Sequence, residues 1–114
     1  MHVMRKTEAK AKEDMVYDKQ VQICKAFANT SRLKILDLLA NGERTGSEIQ
    51  QALGIAQANV SQHLAILKAA GVVATRRDGN PVYCSLAIPE VKQACQLIKD
   101  VLRVQVRNGQ KLVV

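Results

Sequence analysis

The sequence predicts a small, mostly helical α+β domain, and three observations predict it. Apolar residues recur at helical spacing in successive segments separated by Gly42, Gly54 and Gly71. Two of these segments are short and meet at Gly54-Ile55. The alternating, β-branched stretch Val72 to Arg77 is followed by Asp78-Gly79 and a second such stretch, Val82 to Leu86, which is the pattern of a hairpin. With 114 residues, the chain has room for one ordinary domain.

Residues 1–14 mix Lys, Glu and Ala without a strong apolar stripe, and read as a charged N-terminal arm, mobile or forming a solvated first turn. The domain itself is placed at 15–104, with a basic tail over 105–114. Tyr17, Val21, Cys24 and Ala28 mark the stripe of a first helix, widened by Ile23 and Phe27. Asn29 or Thr30 suits the cap of a second, whose apolar residues are Leu33, Ile35, Leu36, Leu38 and Leu39. Thr45-Gly46-Ser47-Glu48 has the spacing of a capping box, which opens a third helix with Ile49, Ala52 and Leu53 inside and Gly54 at its end. The fourth points Val60, Leu64 and Leu67 inward and closes at Gly71. A two-stranded hairpin follows, with Pro81 suited to a strand edge. Pro89 then sits at the first position of a last helix whose seam is Val91, Ala94, Cys95, Ile98, Val101 and Leu102.

Composition narrows the function. Hydrophobic residues make up 47% and charged ones 24%, which excludes a disordered or fibrous chain. No apolar run reaches the length needed to cross a bilayer, and the charged start is unlike a signal peptide. Three cysteines at irregular spacing make no disulfide framework, so free thiols in a reducing cytoplasm are expected. The net charge of +7 favours an anionic partner, and from Ile49 to Arg77 there is no carboxylate at all. Aromatic residues are few (Tyr17, Phe27 and Tyr83), whereas single-strand binders need stacking platforms, so duplex DNA is favoured. No nucleophile–base set, paired carboxylates or glycine-rich phosphate loop is visible, and neither catalysis nor a cofactor is expected.

Two short helices joined at Gly54-Ile55, the second polar on one face, describe a helix-turn-helix. On a wheel centred on Val60, Leu64 and Leu67, the residues Ala58, Ser61, Gln62 and Ala65 point away from the core, with Gln57, Asn59 and His63 on the flanks. Amide and hydroxyl side chains can read base edges, and alanine can touch a thymine methyl. A merely solvated helix would more often carry Lys–Glu pairs, and none occurs here before Lys68. Arg76, Arg77 and Asn80 on the hairpin suit phosphate or minor-groove contact. His63 serves equally as a polar cap over the core.

The segments ANTSRLKILDLL and TGSEIQQALGIAQANVSQHLAILKAAGVV, followed by a basic hairpin ending in VYCSL, resemble the ArsR/SmtB family of winged-helix repressors. The resemblance runs from about Val21 to Arg103, and NVSQHLAILKAAG is its most specific part. It implies a winged helix-turn-helix that forms a homodimer through its first and last helices. It also implies occupation of a two-fold operator on double-stranded DNA and release by an effector. The apolar stripes at 17–28 and 91–102 agree, since they exceed what one small core needs. Ala56 departs from the family, which commonly places Ser or Thr there to cap the recognition helix, so either that helix starts less firmly or Gln57 does some of the capping. The family's thiolate metal site aligns with Thr45, Ser47 and Gln50, and its other zinc site with Ile88, Glu90, Val101 and Val104; neither set suits zinc, and no metal is expected. His2 and His63 are the only histidines.

Cys24 and Cys95 fall on the two helices of the implied dimer contact. Each reads either as a small buried apolar residue or as half of a thiol switch responding to oxidant, reactive sulfur or arsenite. Cys84, on the hairpin, is less suited to join them. The rival to DNA binding is a winged-helix protein-interaction module with a sticky last helix.

Overall fold

The computed structural model describes residues 5–109, so His2 and Lys111 lie outside the described residues. The chain runs α1 (Lys6–Phe27), α2 (Thr30–Leu39), β1 (Arg44–Thr45), α3 (Gly46–Leu53), α4 (Gln57–Ala69), β2 (Val73–Arg77), β3 (Val82–Leu86) and α5 (Pro89–Arg107). Among the described residues no helix is long and apolar enough to cross a membrane.

One core holds these elements together. Ile35, Leu36 and Leu39 of α2, Ile49 of α3, and Val60 and Leu67 of α4 are buried in it, with Val72, Val73 and Cys84 from the sheet and Val91 and Cys95 from α5. α1 contributes only Ala26 to the buried core, so most of this 22-residue helix stands clear of the body.

Four sequence expectations are revised. The sheet has three strands rather than two, because Arg44 and Thr45 pair with Cys84 and Tyr83, giving the order β1-β3-β2. β3 is therefore central, and Pro81 lies in the loop just before it rather than on an edge. The arm placed at 1–14 is helical from Lys6 onward and continuous with α1, since Lys, Glu and Ala are strong helix formers that need no apolar face. Likewise α5 runs to Arg107, past the boundary drawn at 104.

Candidate nucleic-acid interface

The pair α3–α4 is built from local signals. Thr45 caps α3: the Glu48 N–H donates to Thr45 Oγ1 at 3.2 Å, while the Thr45 N–H donates back to Glu48 Oε1 at 3.1 Å. The backbone and side-chain bonds from Thr45 hold the Glu48 carboxyl below its ordinary pKa. Gly54 ends α3 at φ 67, a left-handed conformation that a side chain rarely adopts. Three residues later α4 begins, without any side-chain cap at Ala56. Buried Val60 and Leu67 and half-buried Leu64 fix which face of α4 turns inward.

The opposite face is open. Gln57, Ala58, Asn59, Ser61, Gln62 and Ala65 are all exposed. Gln57 and Ser61 border a cleft of about 500 Å³ whose other side is the hairpin, with Thr75 and Asn80 among its lining. Lys68 donates from Nζ to Thr75 Oγ1 at 3.0 Å, which ties the last turn of α4 to β2. His63 is half-buried and belongs to a different environment: its Nδ1 lies 3.3 Å from Arg32 Nη1 on α2.

The two hairpin arginines have different surroundings. Strand side chains alternate, so Thr75 and Arg77 share the face of Cys84 and Val82, their partners in register, which is the face toward the cleft. Arg76 points the other way. Its guanidinium grips Glu43 through two bonds of 2.8 and 2.9 Å and stacks 4.4 Å from the centre of the Tyr83 ring. The Arg76 hydrogen bond is the main reason the Glu43 carboxyl sits below its ordinary pKa. Arg77 makes no ion pair among the described residues. Sequence reasoning weighed the two alike and missed Glu43, Thr75 and Arg32. The Arg76–Glu43 contact spans 33 residues and Arg32–His63 spans 31, so neither has a local signature.

A second surface is apolar. On α1, Met15, Val16, Tyr17 and Val21 are exposed, and on α5 so are Leu97, Ile98, Val101 and Leu102. The three cysteines are free, with Cys24 exposed and Cys84 and Cys95 buried. Burial raises the pKa of both buried thiols; at Cys95 the Asp37 charge adds to this and Lys99 opposes it. Within the protomer α1 packs on α2 and α4, whereas α5 packs on α2 and β3.

Comparison with known proteins places these features. The family model described as "Bacterial regulatory protein, arsR family" matches residues 29–75, the stretch from the cap of α2 through α4 into β2. The HTH-type transcriptional regulator Rv0081 of Mycobacterium tuberculosis is 35% identical over 88 residues, covering 76% of this chain and 77% of that one. Its crystal structure superposes with a TM-score of 0.76 over 82% of this chain and 94% of that chain, at 33% identity. The transcriptional activator HlyU of Vibrio cholerae is 39% identical over 80 residues, 70% of this chain and 74% of the relative. A homodimeric winged helix-turn-helix DNA-binding domain from Mycobacterium bovis, solved by NMR, matches with a TM-score of 0.77 and 34% identity over 90% of this chain and 91% of that chain. From residue-level likeness and shared architecture alike, the chain belongs to the ArsR family of winged helix-turn-helix transcriptional regulators, which are not enzymes.

Proposed function

We propose that this chain is a cytoplasmic, homodimeric repressor that binds a two-fold operator in duplex DNA and leaves it when an effector reaches the dimer. The observation that carries the reading is the outer face of α4: short, uncharged and exposed, with no carboxylate from Ile49 to Arg77 and a cleft toward the hairpin. Ala58, Ser61 and Gln62 reach base edges, and Gln57 and Asn59 support them at the margins. Arg77 and Asn80 supply wing contacts to the backbone. Arg76, read from the sequence as a third wing contact, instead braces the hairpin, because Glu43 already neutralises it. The exposed apolar faces of α1 and α5 form the dimer contact, and the homodimeric state of the M. bovis domain supports assembly as a pair.

Titration against a duplex enriched from a random pool tests this. A DNA binder loses affinity steeply between low and moderate salt. Affinity that ignores salt supports the rival, a protein-interaction module. Repression is tested with a reporter: expression that rises when the chain is removed supports it, and expression that falls gives the chain the activating role named for HlyU.

For the effector, thiol control is the finer reading. Cys24 is the one accessible cysteine of the protomer, and burial opposes thiolate formation at Cys84 and Cys95. The switch pairs Cys24 of α1 with Cys95 of α5, within or across subunits. DNA release by oxidant, persulfide or arsenite that persists in both Cys24→Ser and Cys95→Ser eliminates this switch.

A further inference from the structure

Arg32 stands where three helices meet. From α2, its Nε donates to the Ala26 carbonyl at 2.7 Å and its Nη2 to the Lys25 carbonyl at 3.0 Å. These carbonyls belong to the last turn of α1, and that of Lys25 also accepts from the N–H of Ala28, the residue that caps the helix, at 3.2 Å. Its third arm, Nη1, lies 3.3 Å from Nδ1 of His63 on α4. A guanidinium has no acceptor, so His63 Nδ1 must be the bare nitrogen and the ring proton must sit on Nε2. A second tie joins the same helices further along: Gln22 of α1 donates to the Ala69 carbonyl at the end of α4, at 3.3 Å.

We propose that Arg32 and His63 are positioning residues that lock α4 to α1, so that the helix reading DNA and the helix meeting the twin subunit move as one body. The inference rests on the DNA-binding reading above and adds to it the route by which a change at the dimer contact reaches the bases. The guanidinium is planar, and two of its edges are already fixed by carbonyls, so the third direction is set before His63 arrives. Both side chains are half-buried, which keeps water from replacing the bond freely. α1 carries Met15, Val16, Tyr17 and Val21 exposed on the protomer, so a displacement of α1 by its twin has this fork as its path into α4.

The test uses the full chain and the duplex it selects from a random pool. His63→Asn keeps an acceptor oxygen at the branch position of Nδ1, whereas His63→Leu removes it. His63→Leu and Arg32→Lys are expected to lose about tenfold in operator affinity with an unchanged salt slope, and His63→Asn to stay within about threefold of the parent. Leucine binding like the parent overturns the inference. So does asparagine binding as weakly as leucine with a reduced salt slope, which makes the ring itself a phosphate contact. Failure of the parent to bind duplex sinks the DNA reading and this inference with it. Independently of any variant, long-range ¹H–¹⁵N correlation on the parent protein must find His63 protonated on Nε2; a proton on Nδ1 overturns the assignment.

Discussion

Replacing Arg77 by alanine separates the two wing arginines. Arg77 lies on the cleft face of β2 with no acidic partner among the described residues, whereas Arg76 is held by Glu43. If each wing of a dimer neutralises one phosphate through Arg77, the variant loses two contacts per operator. The slope of log affinity against log salt then becomes shallower by about 1.8. Scaled from about 1 M to about 0.15 M salt, that slope corresponds to about a thirtyfold loss of affinity. Arg76→Ala leaves the slope within about half a unit of the parent, because the lost charge was already countered by Glu43. Fluorescence anisotropy at four or five salt concentrations measures both variants. An unchanged slope for Arg77→Ala, or the same drop for both, refutes the division of roles.

Other consequences follow from single features. Ala56→Ser gives α4 the cap it lacks and should stabilise the protein by about 0.5–1 kcal/mol, read as a raised urea midpoint with an unchanged m-value. Val101 is 59% exposed on the protomer, so Val101→Glu places an unpaired carboxylate in the proposed dimer contact without touching the core. Sedimentation should find a folded monomer; a dimer as tight as the parent counts against that contact. Glu43 and Glu48 both titrate below their ordinary range when folded. Their stabilisation is full above the unfolded carboxylate pKa of about 4.3 and lost as pH falls through the lower folded values. Thermal midpoints should drop in that acid range, and less steeply in Glu48→Gln.

The helix-turn-helix was legible because its signals are local. Thr45 and Glu48 are three residues apart, Gly54 and Gly71 end the two helices, and the spacing of Val60, Leu64 and Leu67 orients α4. The surplus of apolar residues on α5 was legible too, since Ile98, Val101 and Leu102 find no place in the protomer core. β1 was not, because a two-residue strand has no period and owes its existence to pairing with Cys84 and Tyr83, far along the chain. The start of α1 escaped notice because helix propensity alone, without a stripe, supports Lys6 to Asp14. The site shows the same division. Which α4 residues face outward follows from the wheel, but that Arg76 is committed to Glu43 and His63 to Arg32 depends on contacts that only the folded chain makes.

Base preference is where the central claim is most exposed. Sequencing the duplexes that the parent and Gln62→Ala each enrich from a random pool measures it position by position. If the outer face of α4 enters the major groove twice per dimer, the parent yields two symmetry-related half-sites about one helical turn, or a multiple of it, apart. The variant then loses discrimination at one matched position in each half-site and keeps the rest. Preferences left unchanged, or weakened evenly at every position, would mean that this helix does not read the bases.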